Sequence, residues 1–526
     1  MKLLTTAALC FVAMNGLTNA LDPLTTKGAK IFNSKTGDQF YFKGVAYQPR
    51  TGVDPKKMDP LADTEGCKRD IKVFKDLGLN AIRVYDVIAD NNHDECMKAL
   101  DDAGIYLVLD LPNASAAINR ADPSWDTDLF SHYKKKVDTF INYDNIAAFI
   151  IGNEVTNDLN NTMASAYVKA ATRDIKNYIK SKKKQVPVGY ADNDDPTLAK
   201  NLVPYFNCGD DPSARVDFYA INTYRWCGDK TTFETSGYST LTDEFKDFSV
   251  PVFLSEYGCN KVRPRTFPEI KSIYGSDMQD VFSGGFMYEY TEEDNEYGIV
   301  KVSNGDKEVE KTEDYDNFKD AIKDANPKGT NMKSYNQKND PAKCPDVSEN
   351  WQVSSKGLPP TPNEDVCSCM ANSLKCSLSS SSSTSGDSKA LGDVLGNICG
   401  QSPKSCIPVS GNTTTATYGE YSACSSQQRS SFILNANFLN QKGKDGACKI
   451  DGVDTSTNDK PSADADDCKK KASEASKSSG SGSSSSGNSD SKSDGGSDKD
   501  GASTSSFASM LPLTAMVAIA FSALQF

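Results

Sequence analysis

A (β/α)8 barrel followed by a small disulfide-rich α+β module is the architecture this sequence predicts. Three observations carry it: eight short apolar runs recur with helix-like segments between them, polar residues collect where those runs end, and cysteines crowd into the stretch behind them. The runs occupy 40–45, 81–85, 105–109, 146–151, 186–190, 216–221, 250–254 and 283–288. Near-continuous apolar strands suit a parallel sheet covered on both faces, and amphipathic segments such as 67–77 and 164–182 supply crossover helices. An open doubly wound sheet produces a similar alternation. No G-x-G-x-x-G turn follows the first run, however, which disfavours it.

Composition divides the 526 residues further. Residues 1–20 combine Lys2, an apolar run and the small residues Thr18, Asn19 and Ala20, the layout of a secretory signal peptide. The barrel is expected over 21–345. Residues 359–468 hold eight cysteines and read as a module stapled by bridges more than by a large core. The Ser/Gly/Asp/Lys-rich stretch 470–506 buries too little apolar surface to fold and reads as a disordered stalk. Residues 507–526 are apolar to the terminus with no Lys or Arg behind them, so the tail reads as a signal exchanged for a glycosylphosphatidylinositol anchor at about residue 494–503.

Of 15 cysteines, Cys10 lies in the signal peptide, which leaves 14, an even number suited to disulfides in an exported chain. Metal binding by these cysteines is the alternative. Only two histidines accompany them, His93 and His132, both on helix-like surface segments, so neither a metal nor another cofactor is expected. The sequons at Asn113, Asn160 and Asn412 fit an exported glycoprotein. A formal net charge of −13 argues against nucleic acid, which needs a basic face.

On a barrel, reactive groups sit where strands end. There the sequence places Tyr47 and Gln48, Tyr85, Asp110, Asn153 and Glu154, Asn222 and Tyr224, Glu256 and Tyr257, and Tyr288 to Tyr290. An acid straight after an apolar strand is costly to bury without a partner or a task, and Glu154 and Glu256 close strands four and seven. Two carboxylates facing each other across a barrel mouth are the minimum machinery of a retaining glycosidase: one protonates the leaving oxygen, the other attacks the anomeric carbon. Asn153 beside Glu154 is suited to the sugar 2-hydroxyl, a contact that strengthens in the transition state. The tyrosines offer faces for pyranose rings, although any one of them is more often packing than binding.

The segments Gly44-Val45-Ala46-Tyr47-Gln48, Ile82-Arg83-Val84-Tyr85, SAAINRADPSW at 115–125, Ile151-Gly152-Asn153-Glu154-Val155 and Leu254-Ser255-Glu256-Tyr257-Gly258-Cys259 resemble the fungal family 72 β-1,3-glucanosyltransferases. The cysteine-rich stretch resembles their family 43 carbohydrate-binding module. The resemblance implies an enzyme that cleaves inside β-1,3-glucan and joins the new reducing end to the non-reducing end of a second glucan; the anchor signal would hold it at the plasma membrane, and a monomer is expected, with the sequence itself silent on oligomeric state. It implies Glu154 as acid/base, Glu256 as nucleophile, and Tyr85, Asn153, Asp195, Lys200 and Tyr288 as substrate contacts, with Asp110 and Tyr224 beside them. Lys200 is a departure, because relatives often carry Arg there and a Lys lacks the planar fork of donors. The resemblance also implies the pairs Cys67–Cys96, Cys208–Cys344 and Cys227–Cys259 in the barrel. In the module it implies Cys367–Cys424, Cys369–Cys468, Cys376–Cys448 and Cys399–Cys406. Transfer and hydrolysis pass through the same glycosyl-enzyme, so an endo-β-1,3-glucanase stays open as an alternative, as does a non-catalytic wall-binding protein.

Overall fold

Eight parallel strands close into a barrel in the computed structural model, which describes residues 20–48, 59–302, 307–337, 339–379, 388–444, 446–451 and 453–479. The strands are β1 (Phe42–Ala46), β2 (Ala81–Val84), β3 (Tyr106–Asp110), β4 (Ile146–Asn153), β5 (Val188–Asn193), β6 (Phe218–Asn222), β7 (Val252–Tyr257) and β8 (Phe282–Met287). Each pairs with the next, and β8 returns to β1 with Gly284 opposite Phe42. One helix fills each crossover: α1 (Thr64–Asp76), α2 (Asp94–Asp102), α3 (Thr127–Phe140), α4 (Ala164–Ser181), α5 (Pro196–Asn207), α6 (Tyr238–Phe245) and α7 (Glu269–Ile273), with α8 (Glu313–Ile322) after β8.

Alternation along the strands separates two cores. Phe42, Val108, Ile150, Phe218, Phe253 and Phe286 point inward and pack on one another, with Phe42 and Phe253 ring centres 4.9 Å apart. Leu107, Leu109, Phe149, Ile151 and Tyr219 point outward against the helices. Glycine makes room for the inner phenylalanines. A Cβ on Gly44 would lie 2.3 Å from the Phe286 ring, and Gly284, at φ +80°, would put one 2.2 Å from the Phe42 carbonyl oxygen. An N-terminal hairpin, Leu24–Lys27 with Lys30–Asn33, adds Leu24 and Ile31 to the inner core at the strand starts and covers that end. Only the opposite end, where the strands finish, is left to carry polar chemistry.

The module contains α9 (Glu364–Asn372), α10 (Ser388–Gln401), α11 (Ser426–Asn440) and α12 (Ala465–Ser479) around two small apolar clusters. Seven disulfides are formed: Cys67–Cys96, Cys208–Cys344 and Cys227–Cys259 in the barrel, and Cys367–Cys424, Cys369–Cys468, Cys376–Cys448 and Cys399–Cys406 in the module. These are the pairs the resemblance implies. Among the described residues no group of three or more His, Cys, Asp or Glu side chains is arranged to hold a metal ion.

Two expectations need correction. The stalk was expected from residue 470, but α12 continues to Ser479, because Cys468 is buried and bridged and Ala472 packs into the module core beside it. His93 is no surface residue: it is 2 % exposed, and its Nε2 lies 2.8 Å from the buried carboxylate of Asp59. The signal peptide up to residue 19, the remainder of the stalk and the anchor tail lie outside the described residues.

The segment between barrel and module is no free linker. Trp351 is fully buried against Tyr205 in the barrel's outer core. On α4, Arg173 donates to the Pro359 carbonyl at 2.9 Å and to Thr361, and the Thr361 hydroxyl donates to Asp174 at 2.7 Å. Asp174 also accepts from the Trp125 indole at 2.9 Å, so one buried carboxylate ties the loop after β3, helix α4 and the module's entry together.

Candidate active site

At the open end of the barrel one cation organises the acids. Arg83 on β2 is fully buried. Its Nε and one terminal nitrogen grip Asp110 on β3 at 3.1 and 2.9 Å, and that nitrogen also reaches Asn153 Oδ1 at 2.9 Å. The other terminal nitrogen donates to Glu256 Oε1 at 3.1 Å, to the Ser255 carbonyl at 3.2 Å and, more weakly, to Asn222 Oδ1 at 3.4 Å. Every face of the planar fork is engaged, which a lysine cannot reproduce.

Asn222, at the end of β6, completes the bridge. Its amide nitrogen donates to Glu154 Oε1 at 2.8 Å and to Asn153 Oδ1 at 3.0 Å, while Ser255 Oγ donates to its oxygen at 2.7 Å. Glu154 follows β4 directly and sits at φ 46°, a left-handed conformation that residues with side chains rarely adopt. Its backbone N–H is held by the Ala191 carbonyl at 2.9 Å, and the loop beyond is pinned where Thr156 N–H donates to the Tyr190 hydroxyl. Local strain at this residue is therefore maintained by its surroundings.

Glu256 lies within β7. Tyr85 donates to its Oε1 at 2.9 Å and Tyr224 to its Oε2 at 2.6 Å, so with Arg83 three donors converge on this one carboxylate. Burial pushes its carboxyl up, Arg83 pulls it back, the charge of nearby Glu154 pushes it up again and the two tyrosine bonds lower it, for a balance at about 7. The donor sets of the two acids differ: Arg83, Tyr85 and Tyr224 all aim hydrogens at Glu256, and among the described residues Glu154 accepts from the neutral Asn222 amide.

Three tyrosines wall the site. The rings of Tyr224, Tyr288 and Tyr297 meet edge to face, with centres 6.2, 5.6 and 5.3 Å apart pairwise. Arg265, itself buried and paired with Asp314, donates to the Tyr288 and Tyr297 carbonyls at 2.9 and 2.6 Å and so fixes two of the three.

The chain as a whole matches a known group. The family model described as Glucanosyltransferase matches residues 13–326, and the X8 domain model matches 374–455. The chain belongs to the glucanosyltransferase family. A 1,3-beta-glucanosyltransferase of Arthroderma benhamiae is 42 % identical over 459 residues, 85 % of this chain and 83 % of the relative. The 1,3-beta-glucanosyltransferase gas2 of Schizosaccharomyces pombe is 43 % identical over 443 residues, 82 % of this chain and 94 % of its own. Among solved structures, Saccharomyces cerevisiae Gas2p in complex with laminaripentaose superposes with a TM-score of 0.76 at 39 % identity, covering 83 % of this chain and 98 % of that one.

Within this glucanosyltransferase the expected residues fall into four groups. Glu154, Glu256, Asn153, Tyr85 and Tyr224 share one hydrogen-bonded constellation, and Tyr288 stands beside it on the wall. Asp110 is 2 % exposed with both oxygens on Arg83, so its influence on the site runs through that guanidinium. Asp195 and Lys200 lie on α5, where Asp195 caps the helix by accepting from Thr197 and Leu198 N–H at 2.7 and 3.1 Å and Lys200 is exposed. Tyr47, Tyr257 and Tyr290 are buried in the core, with the Tyr47 and Tyr290 hydroxyls both donating to Asp70. Arg83 and Tyr297 were not singled out as site residues, and Asn222 was placed at its strand end without a role. A charge inside the apolar run Ala81-Ile82-Arg83-Val84 was the available signal for the first, since a buried arginine demands partners.

Tyr85→Phe removes one of the bonds that lower the Glu256 carboxyl. Activity that needs ionised Glu256 rises with pH through that group's pKa, so the variant's acidic limb moves to higher pH, by up to about one pH unit. The measurement is kcat/KM against pH for both proteins. An unmoved or acid-shifted limb contradicts the placement of the Tyr85 hydrogen bond.

Proposed function

We infer that this chain is a retaining β-1,3-glucanosyltransferase that lengthens glucan by double displacement on Glu154 and Glu256. The observation that carries the reading is the bridged pair itself: two carboxyls at the barrel mouth, joined through Asn222 and Arg83, with, among the described residues, three hydrogen-bond donors on Glu256 and one on Glu154. In the first step Glu154 gives its proton to the glycosidic oxygen while a Glu256 oxygen attacks the anomeric carbon, and the reducing-end fragment leaves. In the second, Glu154 takes the proton of a glucan 3-hydroxyl as that oxygen displaces Glu256. Asn153 spends its oxygen on Arg83 and Asn222. Among the described residues nothing takes its amide hydrogens, which leaves them for the 2-hydroxyl of the reacting sugar.

Water competes with the acceptor for the glycosyl-enzyme, and transfer wins by positioning. The wall of Tyr224, Tyr288 and Tyr297 supplies ring faces and hydroxyls for the acceptor, and Asp195 and Lys200 on α5 serve rings farther along the glucan. The fold ascribed here to residues 21–345 is the catalytic domain, and the cysteine-rich unit that follows is its glucan-directed module. Residues 1–20 direct export, and the tail from 507 is exchanged for a lipid anchor, which places the enzyme at the cell surface. Asn160 and Asn412, both exposed, are the better glycan acceptors; the Asn113 amide already donates to Asp86 at 3.2 Å.

Incubation with a reduced laminari-oligosaccharide followed by product sizing tests the reading. Transfer yields products longer than the starting material. Only shorter products at millimolar acceptor make the enzyme an endo-β-1,3-glucanase instead.

A further inference from the structure

Directly behind the tyrosine wall lies a carboxylate that the double displacement does not use. Glu289 follows Tyr288, is wholly buried, and spends one oxygen on each of two side-chain amides. Its Oε1 accepts from Asn295 Nδ2 at 2.8 Å, and its Oε2 accepts from Gln48 Nε2. Among the described residues no Lys or Arg pairs with it. Holding a carboxylate in such a place on neutral donors alone costs stability that a leucine or a glutamine would not, so the charge calls for a task.

The hydrogen-bond inventory supplies one. Burial pushes the Glu289 carboxyl up to about 7 while the Asn295 and Gln48 bonds pull it back; once ionised it only accepts, and so dictates that the nitrogen end of the Gln48 amide faces it. That nitrogen has two hydrogens: one goes to Glu289 and the other to the Tyr288 hydroxyl oxygen, 3.1 Å away. The Tyr288 oxygen thus receives a hydrogen and keeps its own to give, and among the described residues no acceptor takes it. Without the carboxylate the amide is free to turn over, the Gln48 oxygen then accepts from Tyr288, and the wall loses a donor. Glu289 is itself fixed at the backbone, where its N–H donates to the Tyr297 carbonyl at 3.0 Å and its carbonyl accepts from Ile299 at 3.2 Å.

We propose that Glu289 is a positioning residue that acts through Gln48 to hold the Tyr288 hydroxyl as a hydrogen-bond donor toward the acceptor sugar, and so favours transfer over hydrolysis. The proposal rests on the reading of Tyr288 as acceptor surface given above.

Glu289→Gln, Tyr288→Phe and the double variant, each on the full chain, test it with β-1,3-gluco-pentaose as both donor and acceptor, by the ratio of longer to shorter products, total cleavage and thermal melting. Loss of one well-placed hydrogen bond lowers the ratio about five- to tenfold in Glu289→Gln while total cleavage stays within about twofold. Tyr288→Phe gives the same loss, and the double variant is no worse than Tyr288→Phe, because both changes delete one interaction. An unchanged ratio in Glu289→Gln, or losses that multiply in the double variant, overturns the proposal. Should Glu289→Gln fail to fold, Gln48→Met breaks the relay from its other end and must show the same ratio and the same non-additivity. Failure of the parent reading looks different: a wild-type enzyme that makes no longer products is a hydrolase, and an unchanged ratio in Tyr288→Phe removes that tyrosine from the acceptor site.

Discussion

Glu256→Gln protein is expected to form no glycosyl-enzyme and to lose roughly 10⁴-fold or more of its kcat on every glucan, since the amide that replaces the nucleophile has no comparable reactivity. Glu154→Gln is expected to fail as badly on β-1,3-glucan but to behave differently on an oligosaccharide with a leaving group that departs without a proton. There the first step needs only Glu256, so a burst of released leaving group appears and turnover then stalls. Equal loss on both substrates in the Glu154 variant would reverse or void the assignment of roles. The asymmetry follows from the site: Glu256 accepts from Arg83, Tyr85 and Tyr224, while among the described residues Glu154 accepts from the amide of Asn222.

The second large effect belongs to a residue that never meets sugar. Arg83→Met keeps volume but leaves Asp110 and Glu256 as buried acids without their cation, and breaking such a pair costs about 3 to 5 kcal/mol. The expected outcome is a markedly lower melting temperature together with loss of activity, because Arg83 is the strongest influence holding the Glu256 carboxyl down against its burial. Denaturant unfolding and kcat/KM on the same preparation read both. Wild-type stability with wild-type activity would show that the guanidinium is dispensable, which its contacts to Asp110, Asn153 and Glu256 contradict.

How far these contacts were legible beforehand depended on the kind of signal. Runs such as Ile146 to Ile151 announce a strand covered on both faces, and a glutamate straight after one announces a costly group, so Glu154 and Glu256 stood out by position and residue type alone. Which residues would face each other did not, since strands β2, β4, β6 and β7 converge only when the barrel closes and brings Arg83, Asn153, Asn222 and Glu256 within bonding distance. Tyrosines were the least legible. Tyr47, Tyr85, Tyr257 and Tyr288 all sit near strand ends, yet a shift of one residue along a strand sends a side chain to the other face, and Tyr47 and Tyr257 turn into the helix layer. Tyr297 lies in a loop with no periodicity and reaches the site through the hold of Arg265 on its carbonyl. His93 was misread because a helix cap looks like surface until its partner Asp59, far away in sequence, is seen beneath it.

A covalent glycosyl link to Glu256 can be trapped by incubating the protein with a 2-deoxy-2-fluoro laminari-oligosaccharyl fluoride and read by mass spectrometry. The fluorine slows both steps, while the activated leaving group keeps the first one fast enough for the intermediate to accumulate. The expected result is a mass increase of one 2-fluoro-oligosaccharyl group per protein, mapped by peptide sequencing to Glu256, and release of the label on adding a β-1,3-glucan acceptor. A label on Glu154, or an unlabelled protein that still consumes the fluoride, would contradict it.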